Sequence, residues 1–175
     1  MTIKTIFLDR DGVINKEINY LHKIDDFEFI DGAFEACRYF MSLNYKIVVI
    51  TNQSGIARSY FTTNDFQILS HWMIAQFKKN GVNILDIFHC PHAPDSNCNC
   101  RKPMPGMLLD AKYKHNINME DSWLIGDKEA DIIAANNAGI ANTIIVRSGH
   151  KINEKETKAK FVLDSINLSK NIINV

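Results

Sequence analysis

Short apolar runs alternate along this chain with segments of helical periodicity, and each run stops at a polar turn. Ile6-Phe7-Leu8 stops at Asp9-Arg10-Asp11-Gly12, and Lys46 to Ile50 stops at Thr51-Asn52-Gln53-Ser54-Gly55. Ile84 to Phe88 leads into Cys90-Pro91-His92, Ser122 to Ile125 into Gly126-Asp127-Lys128, and Thr143 to Val146 into Arg147-Ser148-Gly149. Runs this short and apolar read as strands buried on both faces. Strands alternating with helices build an α/β fold, a parallel sheet with helices on both faces. The carboxyl ends of such strands lie along one edge, where ligands bind. Asp9, Asp11, Thr51, Asn52 and Asp127 are therefore expected at one crevice.

The segments between the strands carry helix signals. Phe34, Cys37, Arg38 and Met41 recur at helical spacing from Asp31 to Leu43, with Asp31 placed to cap the helix and Gly32 to open it. Thr62 or Thr63 can cap a second helix whose stripe is Phe66, Leu69, Met73 and Phe77, ended by Gly81. Pro105 opens a third through Met107, Leu108 and Ala111, and Glu129 to Ala138 forms a fourth, closed by Gly139. Asn15 to Phe29 reads as a loop or short flap beside the first carboxylates. The tail adds a short strand near Phe161-Val162-Leu163 and a last helix after Asp164.

The 175 residues suit one domain, residues 1–175. Lys+Arg and Asp+Glu number 20 each, and a net charge of zero argues against a broad footprint for nucleic acid. No run approaches the roughly 18 apolar residues of a membrane span. Met1-Thr2-Ile3-Lys4 leads straight into the first strand without a signal-peptide layout, so a cytoplasmic protein is expected.

Asp9 and Asp11 are one residue apart at the end of an extended run, so their side chains point the same way. Two converging anions need a cation or a shared proton. A strand followed by an Asp-Gly turn with both acids solvated accounts for the same pattern. The repetition of polar strand ends favours a Mg²⁺-dependent phosphotransferase centre with Asp9 as nucleophile. Asp11 is then placed to protonate the leaving oxygen and afterwards to activate water. Asp127 adds a third acid for the metal. Thr51 offers a hydroxyl, the Thr51-to-Gly55 turn offers N–H groups, and Lys102 offers a cation.

The densest local signal is Cys90-x-His92, five residues, then Cys98-x-Cys100: three thiols and an imidazole within eleven residues. Cys₃His is a structural zinc set. A disulfide with a spare thiol is the other reading, disfavoured in a reducing compartment. His89 adjoins Cys90 and can compete as a ligand, whereas His22, His71, His115 and His150 show no partner in the sequence. The four prolines all lie between Pro91 and Pro105, so a metal would pin a loop unable to fold unaided. Arg101 and Lys102 follow Cys100 directly, and the zinc would position them.

Taken together, Phe7-Leu8-Asp9-Arg10-Asp11-Gly12, Thr51-Asn52-Gln53-Ser54-Gly55-Ile56-Ala57-Arg58, Cys90-Pro91-His92, Cys98-Asn99-Cys100-Arg101-Lys102-Pro103 and Gly126-Asp127-Lys128 resemble the haloacid dehalogenase superfamily. Within it the match is to the D-glycero-D-manno-heptose 1,7-bisphosphate phosphatases, with histidinol phosphatases as near relatives. The resemblance implies a Rossmann-like sheet without a large cap domain and a phosphatase acting through an aspartyl phosphate. It implies Mg²⁺ on Asp9, Asp127 and the Asp11 main chain, and Zn²⁺ on Cys90, His92, Cys98 and Cys100. Asp9 and Asp11 become nucleophile and acid/base, with Thr51 and Lys102 steadying the phosphoryl group. Arg10, Glu17, Ile18, Asn19, Tyr20, Asn52, Gln53, Ser54, Arg101 and Lys128 become substrate contacts. The implied partner is a small sugar phosphate used in surface glycan synthesis, acted on by a monomer without nucleic-acid or membrane partners. Three features depart from the family pattern and bear on substrate choice: the short His92–Cys98 interval, Ser59 where glycine is common, and the segment Glu17-Ile18-Asn19-Tyr20.

Overall fold

The computed structural model describes residues 2–174, so of the segment expected to lead into the first strand only Met1 lies outside the described residues. The strands are β1 (Thr5–Leu8), β2 (Lys46–Asn52), β3 (Ile84–Cys90), β4 (Trp123–Gly126), β5 (Asn142–Val146) and β6 (Phe161–Leu163). They form one sheet in the order β3-β2-β1-β4-β5-β6, with every pairing parallel. The chain leaves β1 towards β2 and β3, then returns to its other side at β4. β1 and β4 thus flank the point where the strand order reverses, and such points open a crevice at the carboxyl edge.

The helices are α1 (Ala33–Ser42), α2 (Thr63–Lys79), α3 (Gly106–His115) and α4 (Glu129–Asn137). Strand alternation sends Ile6, Leu8, Ile47 and Val49 to one face, where they pack with Ala36, Cys37 and Phe40 of α1 and with Leu69, Met73 and Phe77 of α2. Phe7, Val48, Ile50 and Leu124 face the other way, onto Leu108 and Ala111 of α3 and Ile132 and Ala135 of α4. The two cores explain why the strands read as unbroken apolar runs.

Thr62 caps α2: its Oγ1 accepts from Asp65 N at 3.1 Å, and Asp65 Oδ2 accepts from Thr62 N at 2.7 Å. α1 departs from expectation. Its N-cap is Gly32 at φ 82°, without a side-chain cap bond, so Asp31 does not cap it. The tail after Asp164 forms a 3₁₀ helix, Ile166–Asn171, in place of an α-helix. Asn15 to Phe29 is a loop as expected, with a 3₁₀ turn at Ile24–Asp26, and it is anchored because Leu21 and Phe27 are buried in the first core. Asn15 also bridges to Asp11 and Phe29. Phe29 and Phe34 pack edge-to-face on Phe77, which is fully buried, and Trp72 in turn packs on Phe29.

Phe77→Ala is expected to lower unfolding stability by about 3–5 kcal/mol through the lost apolar area and the cavity left behind. Exposed Tyr113→Ala should stay within about 0.5 kcal/mol. Urea denaturation of the two variants checks the contrast.

Candidate active site

Each acid arrives at the tip of a strand. Asp9 follows β1, and its N–H donates to Ile125 O of β4 at 3.0 Å. Asp127 follows β4, and α4 begins two residues later. A Cβ on Gly126 would lie 2.3 Å from Asp131 Cβ, so glycine is what lets the first turn of α4 close onto the strand tip. There Asp131 Oδ2 accepts the N–H groups of Asp127 (3.2 Å) and Lys128 (3.0 Å). Lys102 Nζ reaches in from the proline-rich loop and contacts Asp9 Oδ1 at 2.9 Å, Asp131 Oδ1 at 2.6 Å and Ile50 O at 3.1 Å. An ammonium has three N–H donors, and all three are engaged.

Burial pushes the Asp9 carboxyl well above its usual range; Lys102 opposes that, while Asp131, Asp127 and Asp11 add to it. Lys102 moves upward as well, because Asp131 and Asp9 outweigh its own burial. One ammonium thus faces an excess of acid. A carboxylate oxygen from each of Asp9, Asp127 and Asp131 lies within 4.8 Å of the others. Asp127 Oδ2 accepts from His150 N (3.0 Å) and Nδ1 (2.6 Å), whereas Oδ1 is buried with no hydrogen-bond partner among the described residues. A buried, unpaired carboxylate oxygen among other acids is costly, and an all-oxygen donor set fits a hard cation such as Mg²⁺.

Asp11 is held from several sides. Its Oδ1 accepts from Arg10 Nη2 at 3.0 Å and Asn15 Nδ2 at 3.0 Å, and its Oδ2 from Gln53 Nε2 at 3.2 Å. Gln53 Nε2 also donates to Thr51 Oγ1 at 2.8 Å, which links the tips of β1 and β2. Arg10, expected as a substrate contact, has its guanidinium buried against Asp11 and Leu21 O. It braces the site from within and does not line the cleft.

The cleft holds about 330 Å³, within the range of small-molecule sites. Asp9, Asp11, Lys102 and Asp131 line it, as do Glu17, Ile18, Asn19 and Tyr20, the turn residues Asn52, Gln53 and Ser54, and Arg101 and Lys128. Thr51 and Asp127 are buried at the ends of β2 and β4, directly behind the lining residues Gln53 and His150 to which they are hydrogen-bonded. Three lining residues with titratable side chains had no role in the sequence reading. Asp131 was missed although it stands four residues after Asp127, the spacing that returns a side chain to the start of a helix. Arg58 and His150 also line the cleft. Histidines 22 and 115 have partners too: His22 stacks on Phe61, and His115 Nε2 meets Asp86 Oδ2 at 2.7 Å. Distant partners of this kind leave no local trace in a sequence.

The ligand atoms of Cys90, His92, Cys98 and Cys100 all lie within 4.8 Å of one another. Sγ of Cys98 is 3.6 Å from Sγ of both Cys90 and Cys100, and His92 Nδ1 is 3.2 Å from Cys100 Sγ. The two Cys98 separations approach the edge, roughly 3.8 Å, of a tetrahedron built on Zn–S bonds of about 2.3 Å, while Sγ of Cys90 and Sγ of Cys100, 2.7 Å apart, stand closer than that edge and must part to hold an ion. Burial works against the Cys98 thiolate, but hydrogen bonds from Ser96, the Arg101 backbone and the neighbouring thiols bring its pKa down to about 6. The donor set fits Zn²⁺. His89 is not among these atoms; its ring packs on Phe66 at 4.2 Å between centroids.

Residues 99–168 match a family model described as HAD-hydrolase-like. The chain is 48% identical over 164 residues to the D-glycero-alpha-D-manno-heptose-1,7-bisphosphate 7-phosphatase of Photorhabdus laumondii, covering 90% of each. It is 43% identical over 173 residues to the corresponding beta-anomer phosphatase of Yersinia pestis, covering 94% of this chain and 92% of that protein. The chain belongs to the heptose-1,7-bisphosphate 7-phosphatase family of haloacid dehalogenase-like hydrolases. It is a phosphoric monoester hydrolase. Its fold matches the D,D-heptose 1,7-bisphosphate phosphatase of B. bronchiseptica, crystallised with magnesium and phosphate, at a TM-score of 0.86, with 30% identity and 97% of each chain covered.

In the hydrolase, Gly126→Ala is expected to force α4 off the tip of β4. It should cost about 1–3 kcal/mol of stability, as overpacking does, and lower turnover of a phosphate monoester. Thermal melting and steady-state kinetics read the two effects.

Proposed function

We propose that the hydrolase removes the C7 phosphate of D-glycero-D-manno-heptose 1,7-bisphosphate through an aspartyl phosphate on Asp9. The observation that carries this reading is the convergence of Asp9, Lys102, Asp127 and Asp131 at the floor of a cleft that Arg58, Arg101 and Lys128 also line. The floor suits the reacting phosphate, and these cations suit the second one.

In the first half-reaction a carboxylate oxygen of Asp9 bonds to phosphorus as the bond from phosphorus to the C7 oxygen breaks. Asp9 Oδ1 already accepts from Arg10 N at 2.8 Å and from Lys102, which leaves Oδ2 for the attack. Asp11 gives its proton to the departing C7 oxygen. In the second half-reaction Asp11 takes a proton from water, the water oxygen bonds to phosphorus, and inorganic phosphate leaves Asp9 regenerated. The Thr51 hydroxyl and the Lys102 charge steady the phosphoryl oxygens between the two halves. Mg²⁺ held by Asp9, Asp127 and the Asp11 main chain, when bound, supplies positive charge that keeps Asp9 ionised and neutralises phosphate oxygens. Asp131 anchors Lys102.

Around this floor, Glu17, Ile18, Asn19, Tyr20, Asn52, Gln53, Ser54, Arg101 and Lys128 contact the sugar phosphate. Zn²⁺ on Cys90, His92, Cys98 and Cys100 is structural and fixes the approach of Arg101 and Lys102. One domain, monomeric and cytoplasmic, completes this reading. The product keeps its C1 phosphate, the group needed for coupling to a nucleotide. The reaction therefore belongs to the supply of nucleotide-activated heptose for surface glycans such as lipopolysaccharide core.

The decisive measurement is kcat/KM for both anomers of the heptose bisphosphate beside histidinol phosphate, with and without Mg²⁺. The bisphosphate should be preferred at least tenfold, about 1.4 kcal/mol of transition-state preference. A tenfold preference for histidinol phosphate would overturn the assignment. Asp9→Asn should retain the fold and lose about 10³-fold or more in turnover, roughly 4 kcal/mol. Cys98→Ser with Cys100→Ser should lose bound zinc, measured by elemental analysis, together with activity; full activity without zinc would separate the loop from catalysis.

A further inference from the structure

The segment after β5 makes contacts that the proposed reaction does not yet use. β5 lies beside β4, with Gly126 opposite Ile145, so the residues that follow Val146 emerge next to Asp127. Ser148 Oγ donates to Gly12 O at 2.7 Å and fastens the segment to the turn after Asp11. A Cβ on Gly149 would lie 2.1 Å from Asp127 Oδ2, and one on Gly12 would lie 2.8 Å from Gly149 Cα. Glycine at both positions lets three pieces of backbone close around one carboxylate.

His150 comes next. Its backbone N and its Nδ1 both fall on Asp127 Oδ2, at 3.0 and 2.6 Å, and neither falls on Oδ1. Oδ1 is the buried oxygen without a partner among the described residues. The ring also lines the cleft, with Nε2 3.8 Å from Glu17 Oε1.

We propose that His150 is the positioning residue of Asp127: two donors on Oδ2 lock the rotation of the carboxylate and leave Oδ1 presented for a divalent cation. The inference rests on the reading of Asp127 as a Mg²⁺ ligand. A carboxylate free to rotate would spend part of its time with the wrong oxygen inward, and binding would carry the cost of ordering it. Hydrogen bonds behind a metal ligand remove that cost, and their loss weakens metal affinity by about 10–100-fold. The partly exposed ring of His150 can be removed without opening the core. Of the amide side chains, asparagine places its N–H₂ nearest to where Nδ1 stands, whereas glutamine reaches nearer to Nε2.

The test is Mg²⁺ titration of the full-length, substrate-free protein by calorimetry, with thermal melting as a fold control. H150A should bind Mg²⁺ about tenfold or more weakly at an unchanged melting temperature. H150N should recover most of that loss and H150Q should not. Kinetics should show a raised Mg²⁺ requirement, with kcat largely restored at saturating Mg²⁺. Mg²⁺ affinity within twofold of the parent for H150A, or no recovery in H150N, overturns the proposal. D127N separates the two layers. If it abolishes Mg²⁺ binding while H150A does nothing, the role of His150 fails alone. If D127N binds Mg²⁺ like the parent, the metal-ligand reading fails and the proposal falls with it.

Discussion

A single buried ammonium allows several carboxylates to share one end of the sheet. Two unit charges 4 Å apart interact by about 4 kcal/mol even at an effective dielectric of 20. Asp9 and Asp131 could not sit together ionised without Lys102 between them. Its three N–H groups are divided among Asp9, Asp131 and the carbonyl of Ile50, so it ties β1, α4 and β2 at one point. Asp11 has its own counter-ion, Arg10, buried beside it. Arg10 is the sequence neighbour of the acid it pairs, but Lys102 comes from a distant loop, so the Asp9–Asp131 pair is neutralised only when β1, β2 and α4 are in place.

Lys102 is not on the sheet, and its position depends on the loop that carries it. Asn52, at the end of β2, grips the lysine backbone in both directions: Nδ2 donates to Lys102 O at 3.2 Å, and Oδ1 accepts from Lys102 N at 3.1 Å. Two residues upstream, Cys100 lies in the Cys/His cluster, whose first member, Cys90, ends β3. Asn99 O accepts from Gly106 N at 3.0 Å, and a Cβ on Gly106 would meet that carbonyl oxygen at 2.2 Å. The loop is therefore clamped at β2, at β3 and at the start of α3. A proline-rich segment with little apolar surface of its own needs such clamps to hold a buried lysine in place between two acids.

Period and termination made the sheet legible in the sequence. The runs ending at Asp9, Thr51 and Gly126 are apolar on both faces because α1 and α2 cover one side and α3 and α4 the other. That pattern survives in a single sequence. The acidic and Cys/His side chains that cluster were legible because short spacing brings them together: Asp9 with Asp11, and Cys90 with His92. What stayed hidden depends on contacts distant in sequence or on backbone geometry. Arg10 looks like a surface cation but is drawn inward by Leu21 O and Asp11. His150 looks unpartnered until β4 and β5 are laid side by side. Asp131 had a usable signal, since a helix that begins just after Asp127 brings the fourth residue after that acid back to the same spot. Ser59 adopts φ 59°, the left-handed region that favours glycine, so glycine would suit this position.

The cleft is built without a large cap, and its walls are held by aromatic contacts. Tyr20, from the loop after β1, meets Tyr60, from the turn after β2, edge-to-face at 4.6 Å, and His22 stacks on Phe61 at 5.1 Å. Tyr20 takes φ 58°, a strained choice for a side chain of its size, in order to stand there. Leu21, the next residue, is buried in the core, so the loop cannot swing away without exposing it. The opening is thereby fixed by packing and not by a hinged domain. Across that opening the chain, neutral overall, separates its charge. The acids converge on the floor, while Arg58, Arg101 and Lys128 join the lining, with Lys102 already committed below. A floor with surplus negative charge demands a cation, and the lining cations demand an anion. A compact molecule with phosphate at both ends satisfies the two demands at once, whereas a monophosphate with an uncharged tail leaves the second one unmet.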